Sequence, residues 1–245
     1  MKRYLIIGVT SAVGEQVVCF LYPGEVSVFL TGRSLQRLET IGADLSIRGA
    51  RRIITEHLEL SKMQDLEGLV SRAATSLGGL DGIIYFAGLL PDHDRVNSDS
   101  NLLRETMEVN ATSAMVLLNE AAAFFEQQGH GQIVAIGSVA GDRGRATNYA
   151  YGAAKGALEI FLSGLRQRLH KRGIQVLLVK PGFVDTPMTA AFNKGSLWAS
   201  PERVARDIVR AMEKGKSVIY TPWWWRWIML VIRLIPKFIF VRLRF

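Results

Sequence analysis

The sequence predicts an α/β fold in which a parallel sheet is doubly wound, with helices on both of its faces. Short apolar segments alternate along the 245 residues with longer amphipathic stretches, which is the pattern of repeated strand–helix units. The apolar segments are continuous rather than alternating, as is typical of strands buried on both faces. The sequence contains no repeat, low-complexity tract or linker, so we expect a single domain with a substantial core.

The predicted elements follow one another regularly. Strands are predicted at 4–8, 26–31, 52–60, 81–88, 132–138, 174–182 and 217–222. Helices are predicted at 14–22, 34–46, 62–77, 99–127, 149–171 and 200–214. Polar loops at 91–100 and 141–148 each follow a strand end, where ligands bind in open α/β sheets. We therefore divide the chain into a domain at 1–221 and a basic, Trp-rich, amphipathic helical tail at 222–245.

The positive charge of the chain is concentrated at its end. The net charge is +8, but the last 23 residues hold five cations and no acid, whereas the rest holds 25 Lys and Arg against 22 Asp and Glu. The body of the chain also shows no basic stripe with interleaved aromatic residues, which nucleic-acid binding would require. Cys19 is the only cysteine, which fits a reducing compartment, and the first apolar run is too short for a signal peptide. We expect a cytoplasmic protein that binds no nucleic acid.

A turn that begins and ends with glycine, GVTSAVG at 8–14, joins the first strand to the first helix. Gly8 permits the tight turn, and Gly14 is expected to let the helix start lie close to a phosphate, which N–H groups at a helix N-terminus favour. Ala12 stands where a third glycine is expected, and its methyl group narrows the room for a pyrophosphate. Small residues also fill such turns for steric reasons alone, so the turn by itself leaves both interpretations open.

The end of the second strand bears on the choice of cofactor. An acid there would accept hydrogen bonds from an adenosine ribose and would repel a 2′-phosphate. The chain has Gly32 at this point, followed by Arg33, whose guanidinium suits a phosphate. We therefore expect NADP to be preferred, while a merely solvated arginine at a helix start would leave NAD possible.

A tyrosine–lysine pair in the helix at 149–171 is the candidate catalytic group. Tyr151 and Lys155 are four residues apart and share one helix face, whereas Tyr149 points elsewhere. The unperturbed pKa of tyrosine is ~10, and a nearby ammonium group is expected to lower it by stabilising the phenolate. Such a pair can act as general acid in ketone reduction or as base in alcohol oxidation.

Two further polar residues and one loop complete the candidate site. Ser138 ends a buried strand, where its hydroxyl can hold a carbonyl oxygen. Asn110 lies in the long helix, where its amide can hold a water leading to Lys155 or can serve helix packing. The loop PGFVDTPMT after the sixth strand can shape a pocket around a nicotinamide carboxamide. The histidines have no ligand spacing, so we expect no metal ion.

The ordered motifs GVTSAVG, Asn110, Ser138, YGAAK and PGFVDT resemble the short-chain dehydrogenase/reductase family over residues 1–221. The resemblance implies a Rossmann-type sheet of seven strands in the order 3-2-1-4-5-6-7, and a homodimer or homotetramer. It implies that Tyr151 is the acid and base, that Lys155 lowers its pKa and holds the ribose, that Ser138 orients the substrate and that Asn110 completes a proton relay. With Arg33, the expected cofactor contacts are Gly8, Thr10, Ser11, Ala12, Val13, Gly14, Glu59, Leu60, Ala87, Gly88, Tyr151, Lys155, Pro181, Gly182, Val184 and Thr186.

The chain departs from the usual family pattern in several places. Tyr85 and Phe86 precede Ala87 and Gly88, where two asparagines are usual, and the acid expected near the adenine is Glu59. The sequence VKPGFVDTPMT and the basic, aromatic tail also resemble, more loosely, the branch that reduces a polyprenyl-phosphoryl 2-keto-pentose. That second resemblance implies a lipid-linked ketone as the substrate.

The tail at 223–245 is too charged to cross a membrane. Its longest uncharged run is WIMLVI at 227–232, whereas a span needs ~20 predominantly apolar residues. On a helical wheel Arg226, Arg233, Lys237 and Arg244 form a narrow basic stripe on an apolar surface, and Pro236 is expected to divide the segment into two short helices. This pattern suits an anionic membrane surface, so we expect peripheral attachment; packing on a partner subunit is the alternative.

Three functions compete at this point. The first is an NADPH-dependent carbonyl reductase acting on a membrane-associated or lipid-linked ketone or alcohol. The second is a soluble reductase of small molecules whose tail forms an oligomer interface. The third is a catalytically silent nucleotide-binding module held at the membrane.

Overall fold

The computed structural model describes residues 2–21 and 26–243, which form one α/β unit around a single sheet. Its seven strands are all parallel and lie in the order β3-β2-β1-β4-β5-β6-β7. The predicted Rossmann-type topology is therefore confirmed. The strands are β1 (Lys2–Ile7), β2 (Val26–Gly32), β3 (Arg52–His57), β4 (Gly82–Tyr85), β5 (Gln132–Ile136), β6 (Gln175–Pro181) and β7 (Val218–Thr221).

The helices connect these strands and extend into the tail. They are α1 (Ala12–Phe20), α2 (Leu35–Ile47), α3 (Met63–Leu66), α4 (Leu69–Leu77), α5 (His93–Ser98), α6 (Ser100–Met107), α7 (Ser113–Gln128), α8 (Tyr149–Leu169), α9 (Pro201–Glu213), α10 (Trp225–Leu234) and α11 (Lys237–Phe240). A π-helical turn (Glu108–Thr112) joins α6 to α7, and a 3-10 turn (Val139–Asp142) follows β5.

Successive residues of each central strand enter two separate hydrophobic cores. In β1, Leu5 packs with α4, α7 and α8 on one face, whereas Ile6 packs with α1, α2 and α9 on the other. Ile83 and Ile84 of β4 divide in the same way. Both side-chain directions of a strand are thus buried, which explains why the strands are continuously apolar in sequence.

The structure interrupts two of the predicted helices and adds one. The stretch 62–77 breaks at Gly68, whose φ of +66° lies in the left-handed region that favours glycine. The stretch 99–127 contains the π-helical turn at Glu108–Thr112. The loop predicted at 91–100 contains α5, because the Asp92 side chain accepts a hydrogen bond from the Arg95 N–H and caps the helix.

The tail forms two short helices that separate at Pro236, as predicted. One face of α10 packs on the domain: Trp225 and Met229 are buried against Val139, and Ile232 extends the same face. Part of the apolar surface that the sequence assigned to a membrane is therefore used by the fold. Arg244 of the predicted basic stripe lies outside the described residues.

Arg143 fastens the far end of the tail to the domain. Its guanidinium donates hydrogen bonds to the carbonyl oxygens of Ile232 and Ile235, the latter at 2.7 Å, and lies 3.7 Å from the ring centre of Phe240. The carbonyl groups at the end of α10 thereby gain a cationic donor. Within the described ranges, no helix has the length and apolarity needed to span a membrane.

Candidate active site

One large cavity, of about 1010 Å³, lies at the carboxyl ends of the strands. Its wall is formed by the turns after β1, β2, β4 and β5, the first turns of α8 and the segment that follows β6. Open α/β sheets bind ligands at this edge, on both sides of the point where the strand order reverses. Here that point lies between β1 and β4.

The turn after β1 is built for close approach of the main chain. Gly8 has a φ of +72°, and a Cβ atom there would lie 2.8 Å from the backbone nitrogen of Ala87. Ser11 caps α1, because its Oγ accepts a hydrogen bond from the Gly14 N–H at 3.0 Å. The start of α1, at Ala12, therefore lines the cavity and offers N–H groups to an anion.

Gly14 packs against the turn after β1, and its predicted contact with a phosphate stays a prediction. A Cβ atom at Gly14 would lie 2.8 Å from the carbonyl oxygen of Val9, so this glycine allows the helix to pack on the strand end. Its N–H is already bound to Ser11, and the residue lies outside the cavity wall. The structure therefore gives Gly14 a packing role.

The other predicted cofactor positions all line the cavity. They are Gly8, Thr10, Ser11, Ala12, Val13, Arg33, Glu59, Leu60, Ala87, Gly88, Tyr151, Lys155, Pro181, Gly182, Val184 and Thr186. They come from turns far apart in the sequence, and the parallel sheet brings these turns to one edge. The glycine turn, the helix start and a cavity of this size fit a bound dinucleotide.

A second arginine stands beside Arg33 at the end of β2. Arg37, in the first turn of α2, lines the cavity and forms an ion pair with Glu15 of α1. Both arginine side chains are exposed, so they are available to a ligand. Sequence reasoning missed Arg37, although its place three residues after the cap residue Ser34 was a usable signal.

Tyr151, Ser138 and Lys155 meet on one side of the cavity. Tyr151 is in the first turns of α8, and its phenol lies near enough to the Ser138 hydroxyl for hydrogen bonding between them to oppose part of the rise in its pKa. The Ser138 Oγ accepts a hydrogen bond from the Ala140 N–H at 3.1 Å, which leaves its own proton free to be donated. Lys155 Nζ lies 5.8 Å from the ring centre of Tyr151 and donates to the carbonyl oxygen of Ile136 at 2.9 Å.

The protonation of this pair differs from the prediction. Burial raises the pKa of Tyr151 to about 12, and the hydrogen bond with Ser138 offsets this only in part. Burial also lowers the pKa of Lys155 to about 8. The expected lowering of the tyrosine pKa by Lys155 is therefore wrong for the protein without ligands, because desolvation dominates and the ammonium group is directed at a main-chain carbonyl.

Asn110 is buried beside the site rather than in the cavity wall. Its side chain accepts a hydrogen bond from the Leu89 N–H at 3.0 Å and donates to the carbonyl oxygens of Leu89, at 2.7 Å, and Thr106, at 2.9 Å. A Cβ atom at Gly88 would lie 3.1 Å from the Asn110 Oδ1 and 3.6 Å from the Lys155 Nζ. Asn110 thus holds the loop after β4, and its part in a proton relay stays a prediction.

Tyr85 explains one departure from the family pattern. Its buried hydroxyl donates a hydrogen bond to the Val109 carbonyl oxygen at 2.9 Å and also bonds the Ser113 hydroxyl at 2.9 Å. Val109 precedes Asn110 in the π-helical turn, where main-chain bonding is irregular, and Ser113 is the first residue of α7. Tyr85 therefore supports the backbone that carries Asn110.

Tyr149 has no place in the cavity wall. Its exposed ring meets His93 edge to face, with ring centres 5.2 Å apart, and its hydroxyl donates to Asn97 of α5. The two tyrosines of α8 therefore face different surroundings, as the helical spacing predicts.

A buried ionic cluster behind Ser138 was not visible in the sequence. Lys180, 1% exposed in β6, pairs with Asp142 of the 3-10 turn and with Glu159 of α8 at 2.7 Å. The hydroxyl of Tyr220 in β7 donates to Asp142 at 3.0 Å. Burial opposes the charge on Lys180, but the two carboxylates outweigh it and raise the lysine pKa. The cluster fixes the turn that follows Ser138 to the sheet.

The fold and this site define a Rossmann-type oxidoreductase. The short chain dehydrogenase family model matches residues 2–196. The chain therefore belongs to the short-chain dehydrogenase/reductase family, whose members generally use NADH or NADPH.

Known proteins resemble the chain over nearly its whole length. An uncharacterized oxidoreductase of Mycobacterium tuberculosis is 32% identical over 239 residues, which cover 98% of this chain and 96% of the relative. Another, of Streptomyces coelicolor, is 30% identical over 248 residues, covering 99% of this chain and 96% of the relative. A short-chain type dehydrogenase/reductase from Mycobacterium ulcerans superposes with a TM-score of 0.79 at 23% identity, covering 89% of this chain and 87% of that one, which supports the fold.

Proposed function

We propose that the protein reduces a ketone to an alcohol with NADPH, and catalyses the reverse oxidation, on a membrane-associated substrate. The observation that carries the proposal is that Ser138 and Tyr151 lie together in the cavity wall, with Lys155 one helical turn further along α8. A hydroxyl donor and a phenol that converge on one point are what a developing alkoxide requires.

Each residue has a definite task in this proposal. A nicotinamide cofactor, held by the residues that line the cavity, would supply the hydride for reduction of the carbonyl group. Ser138 donates a hydrogen bond to the carbonyl oxygen and orients it, and Tyr151 gives that oxygen its proton. Tyr151 then takes up a proton from the direction of Lys155. The loop held by Asn110 borders the site there. The raised tyrosine pKa keeps the phenol protonated before reaction, as a proton donor must be.

The catalytic claim is tested by NADPH oxidation with a panel of simple ketones and with a membrane-lipid extract. Tyr151→Phe should still bind NADPH but lose turnover by ~10²–10⁴-fold, the usual contribution of general acid catalysis. Tyr149→Phe is the matched control, because this ring faces α5, and it should retain turnover. Equal behaviour of the two variants would exclude Tyr151 as the proton donor.

The preference for NADPH is supported by the two exposed arginines at the end of β2, Arg33 and Arg37. We expect NADPH to bind at least ~10-fold more tightly than NADH, or about 1.4 kcal/mol, a modest value for a charge-assisted contact. Arg33→Ala should remove the preference and leave NADH binding unchanged. Arg52→Ala is the control, because Arg52 is the first residue of β3 and the cavity lies at the carboxyl ends of the strands. Equal affinities of the wild type for NADPH and NADH would contradict the proposal.

Attachment to an anionic membrane is supported by the outer face of the tail. Trp227, Leu234 and Phe238 are at least half exposed there, and Arg226 and Arg233 lie among them. No acid in the tail balances its cations. Tryptophan and leucine at headgroup depth, with cations beside them, are the contacts that an interfacial helix makes.

Sedimentation with vesicles tests this attachment. The wild type should sediment at low salt with vesicles that contain an anionic lipid, and salt should release it only in part, since burial of apolar side chains persists. The double variant Trp227→Ser, Leu234→Ser keeps the buried face of α10 and should stay in solution. Ile47→Ser, an exposed apolar residue of α2, should change nothing. If the tail variant instead changes the oligomeric state, the tail is a subunit interface.

A further inference from the structure

An arginine on the substrate side of the cavity is half-buried and has no matching anion. Arg145 lies in the segment between the 3-10 turn and α8, six residues before Tyr151, and lines the cavity. Its Nε is shielded from solvent and has no hydrogen-bond partner among the described residues. The Nη2 group lies 3.3 Å from the Met229 Sδ, which is only a weak acceptor.

The nearby charges do not neutralise Arg145. Asp142 is the one carboxylate that raises its pKa, yet burial outweighs it and lowers the pKa below the usual value for arginine. The oxygens of Asp142 are already committed to Lys180 and to the hydroxyl of Tyr220. A guanidinium nitrogen that loses water without gaining an acceptor is costly, and a ligand can supply that acceptor.

The cavity wall near Arg145 has a polar part and an apolar part. Asn148, on the same segment, also lines the cavity and has a buried Oδ1 without a hydrogen-bond partner in the described structure. Phe183, Phe192 and Trp198 line the cavity from the segment after β6 and are apolar. A ligand with one polar, charged end and a less polar remainder fits such a wall.

We infer that Arg145 binds an anionic group of the substrate, a carboxylate or a phosphate, while the ketone of the same molecule lies at Ser138 and Tyr151. Carboxylates and phosphates are the groups that a guanidinium fork binds through two parallel hydrogen bonds. The inference rests on the proposed function, to which it adds the class of substrate: a ketone that carries an acid group.

The 2′-phosphate of the cofactor is a poor alternative for this arginine. Arg33 and Arg37 stand at the end of β2, whereas Arg145 follows β5. These strands are separated by β1 and β4, so their ends are about 14 Å apart, at roughly 4.8 Å per strand spacing. Arg145 is on the same side as the Ser138 hydroxyl, where the substrate is expected.

Binding to the protein saturated with NADP⁺, measured by calorimetry, tests the inference with two pairs of ketones. Acetoacetate is compared with its methyl ester, and dihydroxyacetone phosphate with dihydroxyacetone, so that the arms distinguish a carboxylate from a phosphate. The charged member of at least one pair should bind the wild type ~10-fold or more tightly. Arg145→Ala should weaken that charged ligand by about 10- to 100-fold and leave the neutral one unchanged, and Arg145→Lys should restore part of the loss.

Arg172→Ala is the control, because Arg172 lies beyond the far end of α8, about 30 Å along a 21-residue helix. Equal binding of both members of both pairs to the wild type would overturn the inference, as would an equal loss of both members in Arg145→Ala. A loss of NADP⁺ affinity in Arg145→Ala would also overturn it, by assigning the arginine to the cofactor. Tyr151→Phe should still bind the charged ligand more tightly than the neutral one. The binding test therefore distinguishes a failure of this inference from a failure of the proposed reaction.

Discussion

Replacing Gly182 by alanine tests whether the tail is part of the catalytic domain. A Cβ atom at Gly182 would overlap the indole of Trp225, a residue 3% exposed that meets the Phe183 ring edge to face at 5.0 Å. The indole must therefore move within a packed region. Overpacking of this kind costs ~1–3 kcal/mol, which lowers the melting temperature by ~2–12 °C for a protein of this size.

The contact itself is measured by a double-mutant cycle. Trp225→Phe alone should destabilise the protein by ~1–3 kcal/mol through lost packing, but it makes room for the new methyl group. The double variant should therefore cost at least ~1 kcal/mol less than the sum of the single variants. Urea unfolding followed by circular dichroism avoids the loss of tryptophan fluorescence.

A glycine in open surroundings supplies the control. Gly164 lies in α8, and a Cβ atom there would meet nothing within 4 Å, so Gly164→Ala should be neutral or stabilising by ~0.5–1 kcal/mol. Additive effects of Gly182→Ala and Trp225→Phe, within ~0.5 kcal/mol, would refute the reasoning, and so would an unchanged stability of Gly182→Ala.

Three further predictions concern buried polar groups. Lys180→Met should destabilise the protein by ~3–5 kcal/mol in urea unfolding, because it leaves Asp142 buried without its cation; a loss below ~1 kcal/mol would show that the cluster is dispensable. Tyr85→Phe should cost ~1–3 kcal/mol and reduce kcat, since two hydrogen bonds in the π-helical turn lose their partner; unchanged stability and kcat would contradict this. The kcat/KM of reduction should fall as the pH rises through about 8, because the lowered pKa of Lys155 makes its ammonium group lose a proton there. Lys155→Arg should remove this fall of kcat/KM with rising pH. A fall that persists in this variant would assign the titration to another group.

All seven strands of the sheet could be predicted from the sequence, because each strand is a short continuous run of mainly apolar residues. The continuous apolar pattern of β1 and β2 reflects burial on two faces, and the alternation with helices decides the parallel topology. Tyr151 and Tyr149 could also be distinguished, since helical spacing alone separates their directions.

What escaped prediction depends on distances between segments remote in sequence. The side chain of Asn110 is hydrogen-bonded to the main chain of Leu89, and Gly14 packs closely against Ser11 and Val9. No local sequence pattern indicates these contacts. The tyrosine pKa was misjudged because desolvation depends on burial, and burial is known only from the fold. The packing of the tail was missed for the same reason, because one amphipathic pattern fits a membrane or a protein surface.

The ionic cluster around Lys180 determines which walls of the cavity can adapt. It ties the turn after Ser138 to β6, β7 and α8, and separating a buried cation from its carboxylates is costly, so this side is stiff. The segment 187–198 lies outside the sheet and is largely exposed, so it can rearrange at little cost. The reacting end of the cavity is therefore rigid and the opposite end pliable. Changes in substrate range should arise through substitutions in 187–198 rather than in 139–142.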